Sequence, residues 1–338
     1  MINLISDTVT KPTAEMLDAM FRAEVGDDVF QADPTINALQ SKAATMFGME
    51  AALFCPSGTM TNQIAINVHT SDLEELICEE SSHVYQSEVG GYAYNSRVSV
   101  KLLHGQNGKI TAKQVEAAIN PDYDWKPKSS LVVLENTCNM GGGSIYTLDE
   151  IRPISELCRA KDLNIHLDGA RLFNALVETG DSMLTYGAVF DSISICLSKG
   201  LGSPVGSLLI GNQSFIKQAR RLRKAMGGGM RQAGYLAAAG LFALENNIER
   251  LKIDNDSAKQ IGAVLKDLPY VATLRPVQSN IVIFDLINGI TANDFIEKLN
   301  QHGILAAPFG AQTVRFVTHL DITNEMMDKV LATLPVIS

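Results

Sequence analysis

Seven short runs of almost wholly apolar residues recur through the first part of the chain, at 51–55, 76–79, 99–103, 131–135, 164–168, 192–197 and 207–210. Stretches of helical period separate most of them, at 60–69, 111–119, 148–159 and 169–178. A strand that is apolar on nearly every position is covered on both faces, which is the condition of a parallel sheet packed between helices. The rhythm therefore predicts an α/β fold with a mainly parallel open sheet and helices on both faces. Sheets of that kind bind ligands beyond the carboxyl ends of their strands, so the residues that follow each run carry most of the functional information.

The remainder of the chain sets the limits of this frame. Before it, residues 1–32 show only one short helical stretch, at 14–23, followed by a loop at 26–30. A punctuated helix comes next, with Asp33 as its cap, Pro34 in its first turn and Gly48 as its stop. After it, a long helical region runs from 216 to about 267, broken at Gly227-Gly228-Gly229. The pattern then changes to strand 280–286, helix 292–301, strand 313–319 and helix 324–334. Residues 1–249 are thus expected to form the large domain and residues 250–338 a small C-terminal α+β domain.

Net charge is -9, which disfavours nucleic acid and anionic membrane as partners while leaving room for a local anion pocket. The five cysteines are scattered without paired spacing, as in reduced thiols, and imply no structural metal site. Neither a basic leader nor a long apolar run is found, so a cytoplasmic chain with no signal peptide or membrane span is expected.

Within the frame, Lys199 lies in a stretch, 194–207, that is otherwise small or apolar. Desolvation favours a neutral, nucleophilic amine, the requirement for a Schiff-base lysine; a surface lysine in a glycine turn fits as well. Ser57-Gly58-Thr59 follows a strand and opens a helix, which makes it either a phosphate cradle or an ordinary junction. Asp168 ends a buried run, with Arg171 three residues on. The pair reads as a carboxylate for a heterocyclic N–H and a guanidinium for a carboxylate, or as a helix cap with its partner.

His83 follows a strand, where it is either solvated or free to stack on a ring and shuttle a proton; Glu88 nearby is a weaker candidate. Lys224 and Arg231 belong to a basic cluster around the triple glycine, either a solvated helical face or a set of cations for an anion on another subunit. Arg315 is a charge inside a β-type run and needs an anion if it points inward. In conjunction these groups fit pyridoxal 5'-phosphate and an α-amino-acid substrate.

At Ser6-Asp7-Thr8, Ser57-Gly58-Thr59, Glu135-Asn136-Thr137, His166-Leu167-Asp168-Gly169-Ala170-Arg171, Leu197-Ser198-Lys199-Gly200 and Gly227-Gly228-Gly229-Met230-Arg231 the chain resembles the L-threonine aldolases. These are pyridoxal enzymes of the aspartate-aminotransferase type (fold type I). The resemblance implies retro-aldol cleavage of L-threonine or L-allo-threonine to glycine and an aldehyde, with β-elimination or transamination as the alternative in the same fold. A phosphometabolite-binding protein without a Schiff base is a more distant reading.

By the same resemblance Lys199 attaches the cofactor, Asp168 pairs with the ring nitrogen and His83 stacks on the ring. Ser57, Gly58 and Thr59 hold the phosphate, while Ser6, Arg171 and Arg315 bind the substrate carboxylate. Lys224 and Arg231 serve a site shared with a neighbouring subunit in a dimer of dimers. The family commonly has a histidine where this chain has Cys138, and often another near Asp124-Trp125-Lys126.

Overall fold

The computed structural model describes residues 1–337. Thirteen strands are present among them: β1 (Ile2–Asn3), β2 (Ala51–Cys55), β3 (Glu74–Glu79), β4 (Ser99–Leu103), β5 (Lys128–Glu135), β6 (Asn164–Gly169), β7 (Ser192–Cys196), β8 (Ser207–Gly211), β9 (Val271–Leu274), β10 (Ile281–Leu286), β11 (Ile304–Leu305), β12 (Ala307–Pro308) and β13 (Thr313–Val317). The large sheet has the order β2-β8-β7-β6-β5-β3-β4. Only β8 opposes its neighbours, pairing antiparallel with both β2 and β7. The predicted seven-stranded α/β sheet is therefore present, parallel except at one strand.

That reversal positions the lysine. The chain leaves β7, passes through residues 197–206 and turns straight back as β8, with Leu197 N–H donating to Gly206 O at 3.0 Å. Gly206 has φ +115, and a Cβ there would stand 2.4 Å from the Phe54 ring, so no other residue fits the turn. Lys199 sits in this connection, at the carboxyl end of β7.

Local signals set the helices. Asp33 Oδ1 accepts from Ile36 N–H at 3.0 Å, Pro34 begins the helix Pro34–Phe47, and Gly48 ends it at φ 62. Thr147 and Glu150 close a reciprocal capping box on the helix Leu148–Ala160. The predicted helical region after 216 is three helices, Gln213–Ala225, Gly234–Asn246 and Leu251–Leu265. Its second break, at 247–250, carries no glycine or proline. Tertiary contacts hold it instead: Asn247 Nδ2 donates to Leu201 O at 2.8 Å and Arg250 Nη1 to Gly200 O at 3.3 Å.

Two further differences from the sequence reading have simple causes. The N-terminal residues include β1, which pairs in parallel with β11 (Ile2 opposite Ile304); two residues are too few to show a period. Ile2 and Leu4 join a second apolar core built from residues 258–337, around the antiparallel sheet β12-β13-β10-β9. In β6 and β7 the polar residues Asn164, His166, Asp168, Ser192 and Ser194 alternate with apolar ones. This polar face packs under the helix Gly58–His69, where Asn62 and His69 take up its hydrogen bonds. Among the described residues no helix is long and apolar enough to cross a membrane.

Candidate active site

A cavity of about 220 Å³ opens at the carboxyl ends of β5, β6 and β7. It is lined by Ser57, Gly58, Thr59, His83, Asp168, Arg171 and Lys199, seven residues that the sequence reading put forward. Asn62, Glu135, Thr137, Asn139, Ala170, Cys196 and Ser198 complete the wall.

Lys199 is half-buried. Its Nζ makes no hydrogen bond or ion pair among the described residues, and its carbonyl is fixed by Thr10 Oγ1 at 3.0 Å. Opposite, the helix Gly58–His69 points its N-terminus at the cavity. Ser57 Oγ caps Met60 N–H at 3.2 Å, while the Gly58 and Thr59 N–H groups have no intrahelical partner. At Gly58 an added Cβ would lie 3.6 Å from the buried, unpartnered Ser207 Oγ, an ordinary contact distance. Thr137 Oγ1, also on the wall, is buried without a partner as well.

Asp168 is buried in the floor, near the end of β6. Its Oδ1 accepts from Ala170 N–H at 3.1 Å, and its Oδ2 accepts from Asn62 Nδ2 at 2.8 Å. The same amide donates to Glu88 Oε1 at 2.9 Å, and Gln63 donates to Glu88 Oε2 at 2.6 Å. His83 Nδ1 lies 2.8 Å from Glu88 Oε1. This bond to Glu88 pushes the imidazole pKa up, as do the charges of Asp168 and Glu135, against the opposing effect of burial. Donor atoms of His83, Glu88 and Asp168 lie within 4.8 Å of one another, close enough for a cation, but Asn62 and the histidine already bridge them.

Glu135 holds the His83 backbone: Oε2 accepts from His83 N–H at 2.7 Å and Oε1 from Asn139 N–H at 2.8 Å. Burial and the nearby Asp168 charge push its carboxyl up to about 7, although both backbone donors favour the anion.

Arg171 lines the cavity but is already gripped by a carboxylate. Its Nε and Nη2 donate to Asp7 Oδ2 and Oδ1, both at 2.7 Å. Burial pushes Asp7 up, yet Arg171, Lys199 and the Asn280 amide together hold it at about 2. Arg315 stands beside Asn139, donating through Nη1 to Asn139 Oδ1 at 3.0 Å and through Nη2 to Ile5 O at 3.2 Å. It has no carboxylate partner among the described residues, and its buried Nε has no acceptor. Burial and repulsion by Arg171 bring its pKa down to about 10.

Four of the proposed residues lie off this cavity, and Arg315, which reaches Asn139 on its wall, is one of them. The Ser6 hydroxyl accepts from Thr8 N–H and Thr8 Oγ1, at 3.2 and 2.9 Å. Lys224 borders a separate, cationic cavity with Lys217, Arg220, Arg221 and Arg223, and Arg231 pairs with Asp27 at 2.6 Å. One chain alone does not bring Lys224 and Arg231 to Lys199. Cys138 is buried, with its Sγ against Glu135 O at 3.0 Å and Gly108 O at 3.4 Å, and does not line the cavity. Asp124-Trp125-Lys126 is an exposed turn, with Trp125 stacked on Tyr123 at 4.7 Å.

The sequence reading assigned no role to Asp7, Asn62 or Glu135. For Asn62 a signal existed, since Thr61, Asn62 and Gln63 interrupt an otherwise apolar helix. For Asp7 there was no local signal, because its partner lies 164 residues away.

An unpaired lysine amine, a helix N-terminus with free N–H groups and unpartnered hydroxyls, and a buried carboxylate fit the aldehyde, phosphate and ring nitrogen of pyridoxal phosphate. On this α/β frame they define the pyridoxal enzymes of fold type I. Residues 3–288 match the beta-eliminating lyase family. A low specificity L-threonine aldolase of Escherichia coli (strain K12) is 40% identical over 333 residues, spanning 98% of each chain. The low-specificity L-threonine aldolase 1 of Arabidopsis thaliana is 38% identical over 330 residues, spanning 96% of this chain and 92% of its own. The solved threonine aldolase of Leishmania major superposes with a TM-score of 0.85 over the whole of both chains, at 22% identity. The chain belongs to the beta-eliminating lyase family, among the low-specificity L-threonine aldolases.

Proposed function

We propose that the chain cleaves L-threonine, L-allo-threonine and related L-3-hydroxy-α-amino acids to glycine and an aldehyde. Pyridoxal phosphate, when bound, supplies the electron sink for the pair left on Cα when the Cα–Cβ bond breaks. The observation that carries the reading is the juxtaposition, in one cavity, of the unpaired Lys199 amine with the buried Asp168 carboxylate and the open helix N-terminus at Gly58 and Thr59.

The geometry supports the following roles. Lys199 is the amine that attaches the cofactor. Asp168, oriented by hydrogen bonds from Asn62 and Ala170, is the carboxylate that would pair with the ring nitrogen. Gly58 and Thr59, with Ser57 capping their helix, bind the phosphate. Arg315 takes the substrate carboxylate, because, unlike Arg171, it has no acid partner among the described residues; Arg171, steadied by Asp7, adds its remaining donors, and Ser6 lies next to Ile5, which Arg315 touches. With His83 Nδ1–H donating to Glu88 Oε1, Nε2 is the atom left to take the β-hydroxyl proton. Neither Cys138 nor Trp125 borders the cavity, which supports His83 as the base within one chain.

Lys224 and Arg231 are assigned to the site of a second copy in a homo-oligomer, which accounts for a cationic cluster that shares no lining residue with the Lys199 cavity. Five unpaired cysteines support a cytoplasmic protein. Product analysis tests the reaction. Acetaldehyde with equimolar glycine from L-threonine or L-allo-threonine is expected; 2-oxobutyrate with ammonia would show elimination instead.

A further inference from the structure

The floor of the cavity is held from behind by a chain of polar groups between the helix Gly58–His69 and strands β6 and β7. Asn62 Oδ1 lies 3.2 Å from His166 Nε2, and His166 Nδ1 lies 2.7 Å from Ser192 Oγ. Ser192 Oγ lies in turn 2.7 Å from His69 Nε2. His166 and Ser192 are fully buried. His69 stacks on Phe215 at 4.5 Å and lines a second cavity of about 260 Å³ with Ser71, Glu74 and Lys128, at the far edge of the sheet.

Chemistry at one end fixes the direction of every bond. Asn62 faces two carboxylates, Asp168 and Glu88, so both hydrogens of its amide must point to them and its oxygen to His166. His166 must then carry its proton on Nε2, where Ser194 Oγ is a more distant neighbour at 3.4 Å. Its Nδ1 is left as an acceptor for the Ser192 hydroxyl. Ser192 can accept only from His69, which therefore donates from Nε2. Burial pushes both imidazoles down, to about 4 for His166 and about 3 for His69, so both are neutral near pH 7 and the order of donors is stable.

We propose that His166, backed by Ser192 and His69, is a positioning residue that locks the Asn62 amide onto Asp168 and Glu88. Resting on the functional reading above, it thereby holds one carboxylate for the cofactor ring and the other for His83. Were the amide to turn over, its oxygen would meet both carboxylates and each would lose a hydrogen bond. His166 touches neither cofactor nor substrate; it acts through Asn62.

Two measurements test the relay. Nitrogen-15 spectra of the histidines in the holoenzyme are expected to show His166 and His69 neutral with the proton on Nε2, between about pH 6 and 8. A proton on Nδ1 of His166, or an imidazolium there, overturns the proposal. His166→Leu is expected to shift the visible band of the bound cofactor and to lower kcat roughly tenfold with KM little changed, the scale of one buried unsatisfied acceptor. His166→Gln, which keeps a donor near the Nε2 position, should restore most of both. A folded His166→Leu protein with unchanged spectrum and kcat overturns the relay. If that variant does not fold, the spectra of the unaltered enzyme still decide. An unaltered chain that binds no cofactor defeats the functional reading instead, and the tautomer measurement is separate from it.

Discussion

Asp7 and Arg171 form a fully buried, two-pronged pair, Nε to Oδ2 and Nη2 to Oδ1, each at 2.7 Å. The pair ties the N-terminal segment to the edge of the cavity, and Asn280 from the second core adds a bond to Asp7 Oδ2 at 3.1 Å. An arginine held in this way is oriented by the protein rather than by the substrate. Arg315, by contrast, has no acid partner among the described residues, and its buried Nε has no acceptor.

Asp7→Ala should destabilise the chain by about 3–5 kcal/mol, because it leaves the Arg171 charge buried without its partner. Denaturant unfolding of the loaded enzyme checks this. A loss below about 1 kcal/mol, the range of an exposed pair, would contradict it.

Stability should fall in acid through Asp7. Its folded pKa of about 2 lies below the ordinary 3.8, so its contribution is complete above the ordinary value and is lost as pH falls through about 2. Glu135 acts with the opposite sign. Its folded pKa of about 7 lies above the ordinary 4.5, so stability declines as pH rises between the two and is level beyond. The difference in unfolding free energy between the unaltered chain and Glu135→Gln, followed against pH, should show that slope. A flat difference would remove the burial argument.

Thr59→Val keeps the shape of the side chain and removes one hydroxyl from the helix N-terminus. Cofactor Kd should rise about tenfold, the scale of a hydrogen bond to a charged group. The Tm of the unloaded protein should not change, because Thr59 is exposed. Cofactor titration by fluorescence with a thermal melt separates the two effects.

Arg315→Gln should raise KM for the amino acid by about 30-fold or more, through loss of a charge-assisted carboxylate contact. Burial and the Arg171 charge disfavour its cation, holding its pKa down to about 10, so the unloaded protein should be as stable as before or more so. An unchanged KM would remove Arg315 from the substrate site.

Much of this was legible in the chain itself. The strands at 51–55 and 99–103 have the predicted limits, and the cap at Asp33 and the stop at Gly48 hold the helix between them. Seven of the eleven proposed site residues line one cavity, because β-strand ends and helix starts are marked by local composition. What was not legible is non-local. The reversal of β8 depends on the space left by Phe54 at Gly206, and the grip of Asp7 on Arg171 spans most of the large sheet. The polar face of β6 and β7 was read as apolar because isoleucine and leucine dominate each run. The alternating Asn164, His166, Asp168, Ser192 and Ser194 are its only trace.

The most direct test of the account is the amine itself. Borohydride reduction of the chain loaded with pyridoxal phosphate, followed by peptide mapping, should place the label on Lys199. Lys199→Ala should remain unlabelled and should release no acetaldehyde from L-threonine or L-allo-threonine over multiple turnovers. Label on another lysine, or sustained turnover by the alanine variant, would contradict the assignment on which the whole site is built.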